Sequence, residues 1–394
     1  MKPQQDSFDL EALKLDDFQK KAAYTEDTAI VTAGAGAGKT RALVGRFLYL
    51  VLQKNVDPER ILALTFTRKA AAEMFQRVQL TLSPFANDSP ALAKSLVQAH
   101  IQTLDSFCRE IVAQAATLYG YTPDFKIDES KCARIAEKTA YRYVLDNQKE
   151  NGLESLVATF GFEAVVQDLF ASFGKANVEP NWQGKQICRS SAQIGEQEFR
   201  KIAAEISNKI HDIALNILEI AHREPNHDFK EGTNQAIRMA KAVSSFSCDH
   251  TGLRDFLDYM EKPENALNMR SIGRNETESA IKELAKELKD KSFQDKISQV
   301  LDFEEFLPTY YAIMNRLDEY ADMLCEEKCI DSIMNYKDLG ALAVDILSKH
   351  EDRRIFWASR FQYILIDEFQ DNNELQKQLL FLLSKEGKEI RRGK

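Results

Sequence analysis

Ala33-Gly34-Ala35-Gly36-Ala37-Gly38-Lys39-Thr40 sits between the apolar run Ala29-Ile30-Val31 and a helical stretch from Thr40 to Gln53, and its reading decides the fold. A loop that joins a strand to a helix can wrap its backbone N–H groups round phosphate oxygens, and the helix N-terminus adds positive potential. Glycines at 34, 36 and 38 permit the tight curl and close approach that a β-carbon would block. Lys39 can then reach the β- and γ-phosphates as a point charge, and the Thr40 hydroxyl can ligate Mg²⁺. The strict pattern has Gly where Ala33 stands, a departure of one methyl group. A flexible Ala/Gly turn before an ordinary helix is the plainer alternative; the β-run before it and the helix after it favour the phosphate loop. The expected nucleotide-contacting stretch is Ala33, Gly34, Ala35, Gly36, Ala37, Gly38, Lys39, Thr40 and Arg41.

Far downstream, the apolar run Tyr363-Ile364-Leu365-Ile366 is followed by Asp367-Glu368-Phe369-Gln370-Asp371. Strand ends in parallel α/β sheets open into the ligand crevice. Adjacent carboxylates there can divide the work, Asp367 holding Mg²⁺ and Glu368 orienting and deprotonating the attacking water. An isolated Asp-Glu pair would read as solvated acids capping a strand; the apolar strand before it and the loop upstream argue otherwise. The two stretches read as halves of one site for ATP and Mg²⁺.

Composition fits a soluble globular protein of 394 residues, with 44% hydrophobic and 29% charged residues. No apolar stretch approaches a bilayer span and the N-terminus has no apolar signal core, so a cytoplasmic protein without membrane contact is expected. Six scattered cysteines, with no His or second Cys pair near Cys325 and Cys329, read as reduced thiols rather than a zinc shell. The net charge of −9 argues against a simple polyanion-coating protein. Between residues 36 and 80, however, eight Lys/Arg stand against three acids. That run could form a basic groove, but such a run is more often an ordinary solvated face, and charge alone does not decide between them.

Residues 1–125 alternate apolar runs with helical stretches: strands at Ala29–Thr32, Ile61–Thr65 and His100–Thr103, helices at Thr40–Gln53, Lys69–Leu80 and Asp105–Leu118. This rhythm implies a parallel sheet with helices on its faces. Residues 126–335 carry helical spacing at Asp128–Gln148, Phe162–Phe173, Glu196–Arg223, Gly232–Ser245, Glu276–Val300 and Glu304–Glu327. Sheet character returns over 336–384, with a helix at Tyr336–His350 and the strand Phe361–Ile366, before a polar tail at 385–394. The expected architecture is one α/β domain interrupted by a large all-helical insertion.

At these residues the sequence resembles the superfamily 1 DNA helicases of the UvrD/Rep type. Leu15-Asp16-Asp17-Phe18-Gln19 lies where that family carries its glutamine motif, which implies that Gln19 reads the adenine edge. Leu64-Thr65-Phe66-Thr67-Arg68-Lys69-Ala70-Ala71-Ala72-Glu73-Met74 and Thr103-Leu104-Asp105-Ser106-Phe107-Cys108 resemble its two single-strand-contacting motifs. Asp367-Glu368-Phe369-Gln370-Asp371 is similar to its Asp-Glu-x-Gln-Asp signature, which gives Gln370 a place beside Lys39, Asp367 and Glu368 in the catalytic set. The wording of the second single-strand motif, with Pro123–Glu129 and Asn335–Leu339, brings it nearest the RecB/AddA branch. The family has His where Asp105 stands and a small polar residue where Arg68 stands; an acid beside a phosphate backbone weakens that contact, and Arg68 is placed to compensate.

The resemblance implies a RecA-like P-loop NTPase domain and an ATP-dependent 3′–5′ DNA helicase or translocase of repair and recombination. It implies single-stranded DNA and duplex/single-strand junctions as ligands, and a partner in the form of a second helicase-nuclease chain. Read from the residues, Phe66 can stack on a base or fill a core. Thr65 and Thr67 end a strand beside the basic pair Arg68-Lys69, which the resemblance places with them at the DNA, and Thr103, Ser106 and Lys69 can hold phosphates. Phe107 can do as Phe66 does, or be buried. After Asp371 the sequence shows no Gly-Asp-x-x-Gln segment, second motor domain or nuclease domain, which leads us to expect an N-terminal half. A non-catalytic ATP- and DNA-binding module that needs a partner chain is the alternative; an unrelated phosphate-loop kinase is disfavoured by the Phe66 and Phe107 motifs.

Overall fold

The computed structural model describes residues 14–32, 34, 38–150, 152–180, 182 and 184–384. Among them are five strands: β1 (Ile61–Thr65), β2 (His100–Thr103), β3 (Lys126–Ile127), β4 (Ile333–Met334) and β5 (Tyr363–Ile366). The first five helices are α1 (Asp17–Tyr24), α2 (Lys39–Leu52), α3 (Arg68–Asp88), α4 (Pro90–Val97) and α5 (Leu104–Ala113).

The chain divides into two compact units, the first being 1–138, 174–183 and 323–394 and the second 139–173 and 184–322. In the first unit β1 is central, buried along its whole length and uninterrupted by charge, as a strand covered on both faces should be. It pairs in parallel with β2, with Leu62 opposite His100 and Thr65 opposite Thr103. On its other side it pairs in parallel with β5, with Ile61 opposite Tyr363 and Leu64 opposite Ile366. Its period of two separates two cores. Ile61 and Ala63 pack with Phe47 and Leu48 of α2 and Met74 and Val78 of α3. Leu62 and Leu64 pack with Phe107 and Ile111 of α5 and with Leu339, Leu342 and Ile346 of the helix Tyr336–Lys349.

The strand expected at Ala29–Thr32 does not form: those residues are in no sheet, and Ile30 is 87% exposed. An apolar run becomes a strand only where a neighbour offers an unpaired edge to bond, and this segment pairs with neither β2 nor β5. The helix expected at Lys69–Leu80 starts one residue earlier, behind the Thr67 cap, and runs on through Pro84 to Asp88. Only Ser89 separates α3 from α4, and its hydroxyl caps α4.

Close to residues 126 and 335, where the chain was expected to leave and rejoin the α/β part, β3 and β4 lie side by side in the first unit. Lys126 pairs with Ile333 and Ile127 with Met334, in parallel. Just beyond, Lys328 Nζ donates to both carboxylate oxygens of Asp338 at 3.1 and 3.0 Å, and both side chains are buried.

The described residues of the second unit form helices and no strand. Its core is built by Ile210, Ile213 and Ile217 on the helix Ile187–His222, Met239 on Glu231–Val243, Phe256 on His250–Glu261, and Ile281 and Leu288 on Glu276–Leu288. The helix break expected between Val300 and Glu304 lies at Lys289–Asp290 instead, where the Asp290 carboxylate accepts from Phe293 N at 3.0 Å. The following helix, Lys291–Asp331, runs through Pro308. Among the described residues no single helix is long and apolar enough to cross a membrane.

Candidate nucleotide site and strand-tip surface

Gly38 takes φ 77° and ψ 31°, left-handed values that suit glycine, and starts α2 with no side-chain cap. The N–H groups of that first turn are therefore left for an anion. Ala33, Ala35, Gly36 and Ala37 lie outside the described residues. Lys39 and Thr40 open the helix, and Arg41 follows on its exposed face.

Across from them the β5 strand is prolonged by one rung, Asp367 N donating to Leu64 O at 2.9 Å. The chain then turns at Glu368, which holds φ 52° and ψ 45°. A left-handed backbone at a residue with a β-carbon stores strain, and such strain gathers at functional sites. The turn brings both carboxylates to α2: Thr40 Oγ1 donates to Asp367 Oδ2 at 3.2 Å, and Lys39 Nζ lies 3.3 Å from Glu368 Oε2. The Gln370 amide also donates to Glu368 Oε2. Gln370 and then Lys39 hold the Glu368 carboxyl below the usual carboxylate range, so it is ionised at neutral pH.

Gln19 reaches the same place from α1. It forms a capping box with Asp16, accepting from Asp16 N at 3.2 Å while its own N–H donates to the Asp16 carboxylate at 2.8 Å. Its amide nitrogen faces Gly38 so closely that a β-carbon there would stand 2.5 Å away. Leu15 beneath α1 packs against Gly45 of α2, where a β-carbon would come within 2.9 Å of Leu15 Cδ1. Sequence reading missed Asp16 and Gly45 as positioning residues, although the Asp16-x-x-Gln19 spacing is itself a helix-start signal.

The candidate nucleic-acid residues separate into two groups. Phe66, Thr67, Arg68 and Lys69 are exposed just past the tip of β1, Phe66 at 58%. Thr67 also caps α3, accepting from Ala70 N at 3.1 Å. Thr65 and Thr103 are buried; Thr65 Oγ1 donates to Thr67 O, and the Thr103 and Ser106 hydroxyls bond each other at 2.8 Å. Phe107 is fully buried, edge-on to Trp357 at 5.3 Å, which leaves it no surface to offer a nucleic acid. Among the described residues no group of three or more His, Cys, Asp or Glu could hold a metal by itself. Thr40 and Asp367 supply two hard oxygen donors, the modest protein share that Mg²⁺ takes beside a nucleotide.

Residues 15–391 match the family model described as the UvrD/REP helicase N-terminal domain. The chain is similar to an ATP-dependent helicase/nuclease subunit of Syntrophomonas wolfei, 26% identical over 91% of this chain and 31% of that protein. It is likewise similar to the proteins of the same name from Carboxydothermus hydrogenoformans (26% identical, over 94% of this chain and 34% of that one) and Streptococcus equi subsp. zooepidemicus (23%, over 93% and 33%). The chain thus spans about a third of the length of these curated relatives. With a match over nearly its whole length and a parallel sheet that sets the two acids against the phosphate-loop helix, the chain belongs to the UvrD/REP helicase family.

Proposed function

We propose that this chain is the ATP-hydrolysing first motor domain of a 3′–5′ DNA helicase or translocase that acts in DNA repair and recombination. In this reading the RecA-like domain comprises residues 1–125 and 336–384, and the helical segment 126–335 is inserted within it. The observation that supports it most is the pairing of Lys39 with Glu368 and Thr40 with Asp367, two contacts that join the phosphate loop to the acidic strand tip.

Each residue then has a definite task. Gln19 reads the adenine edge beside Gly38. Lys39 exchanges Glu368 for the β- and γ-phosphate oxygens. Thr40 and Asp367 would hold Mg²⁺, which would supply neutralisation of the phosphate charge. Glu368, released from Lys39, accepts the proton of the attacking water as the bond from the γ-phosphorus to the bridging oxygen breaks, leaving ADP and phosphate. Gln370 steadies the Glu368 carboxylate. Phe66, Arg68 and Lys69 meet single-stranded DNA through stacking and phosphate contacts, which carry no sequence preference. The relatives are named as a subunit of a helicase/nuclease, which supports a second helicase-nuclease chain as partner; in this reading the chain works in the cytoplasm at duplex/single-strand junctions.

ATP turnover by the protein, with and without oligo-dT, tests the proposal. DNA-stimulated phosphate release that Lys39→Ala and Glu368→Gln both abolish supports it, and persistent turnover in both variants removes it. Nucleotide binding with no hydrolysis, unchanged by DNA, would select a non-catalytic binding module that needs a partner chain.

A further inference from the structure

The two family departures, Arg68 and Asp105, lie far apart in sequence yet follow the tips of neighbouring strands. β1 and β2 are parallel neighbours with Thr65 opposite Thr103. Three residues past Thr65 the chain reaches Arg68, the first residue of α3; two past Thr103 it reaches Asp105, in the first turn of α5. Adjacent strand tips therefore deliver one cation and one anion to the same rim.

Asp105 is in an unusual state for a carboxylate. It is half-buried, and among the described residues it accepts no hydrogen bond and makes no ion pair within salt-bridge distance. Burial pushes its carboxyl up and the Arg68 charge pulls it down. Cys108, one turn further along α5, is buried beneath it and contributes no charge. The favourable end of the α5 dipole accounts for an acid at this position, but an acid held there for the dipole alone would do better exposed, where water could satisfy it.

We propose that Asp105 is a positioning residue for Arg68: when a single strand lies across the rim, the guanidinium spans the Asp105 carboxylate on one edge and a backbone phosphate on the other. Arginine suits this because its planar fork presents donors on two edges at once, whereas a lysine ammonium is a single point charge. The acid that would by itself repel a phosphate thus orients the cation that binds it. This rests on the reading of Phe66, Arg68 and Lys69 as a DNA surface.

A double-mutant cycle on the full chain tests it, with binding of a fluorescein-labelled oligo-dT followed by anisotropy over a salt series. Arg68→Ala should weaken binding about tenfold and lower the slope of log K against log salt by about one phosphate. With Arg68 present, Asp105→Ala should weaken binding about threefold or more; with Arg68→Ala it should leave binding unchanged or tighten it, a sign reversal that reports coupling. Asp105→Asn, which keeps an acceptor for the guanidinium, should recover part of the loss and guards against a folding defect. Tightening by Asp105→Ala in both backgrounds would overturn the proposal and leave plain repulsion. Wild-type protein that ignores the oligonucleotide at every salt concentration would overturn the DNA reading itself, and this proposal with it.

Discussion

Lys39 Nζ lies 3.3 Å from Glu368 Oε2, joining residues 329 positions apart in sequence. The cation proposed to bind phosphate and the carboxylate proposed to accept a proton therefore form an ion pair. In the proposed function ATP competes with Glu368 for that lysine. Glu368→Gln should accordingly keep nucleotide affinity or raise it, because the charged competitor for Lys39 is gone, while turnover falls by about 10²–10⁴, the usual share of a general base. Lys39→Ala should lose both affinity and turnover. Titration with a fluorescent ATP analogue beside a phosphate-release assay separates the two. Equal loss of affinity in both variants would show that the partners do not exchange.

Gly38→Ala combines two costs that can be pulled apart. A β-carbon at φ 77° costs roughly 1–2 kcal/mol from the left-handed backbone alone. It also overlaps the Gln19 amide, 2.5 Å away. The variant should therefore bind ATP more weakly than Gln19→Ala does. In the Gln19→Ala/Gly38→Ala double variant the overlap is gone and only the backbone cost and the lost adenine contact remain, so the combined loss should fall short of the sum of the two single losses. Strict additivity in the same nucleotide titration would mean that Gln19 does not press on the loop.

The parts of this fold that were legible in sequence are those whose signal is local. β1 is apolar at four successive positions because both its faces are covered, and the acids after β5 announce themselves by following an apolar strand. Ala29–Thr32 carries the same kind of run and forms no strand, since pairing depends on an edge supplied elsewhere in the chain. Of the two readings open for Phe107 the structure takes burial: Leu104, Phe107, Cys108, Ile111 and Val112 fall on one face of α5 at helical spacing, and that periodicity marks a core residue more strongly than motif position marks a contact. The Arg68–Asp105 relation needed the β1–β2 register, which no single run of sequence contains.

Phe66 and Phe107, each in a motif expected to touch DNA, should consequently fail in opposite ways. Phe66 is exposed, so Phe66→Ala should leave the thermal midpoint nearly unchanged and reduce oligo-dT affinity by roughly 1–3 kcal/mol, the value of one base–aromatic stack. Phe107 fills the core against Trp357 and Phe361, so Phe107→Ala should cost about 3–5 kcal/mol of stability. Denaturant melts and anisotropy on both variants check this. A Phe66 variant that melts early yet binds DNA normally would make Phe66 a packing residue.

Lys328 and Asp338 hold together the place where β4 and the helix Tyr336–Lys349 begin. The ammonium donates to both carboxylate oxygens and to Val178 O at 3.4 Å, so each of its three protons has a partner. Asp338 also accepts from Asn335 N at 3.1 Å, completing a capping box on that helix. Removing one partner from a buried pair strands the other charge. Lys328→Met should therefore destabilise the first unit by roughly 3–5 kcal/mol, whereas replacing both buried ions can be close to neutral. Lys328→Met/Asp338→Leu should recover most of that loss, short of about 1 kcal/mol for the missing cap. Urea melts of the two variants decide it: a double variant no more stable than Lys328→Met would show that the capping box, rather than the ion pair, secures this junction.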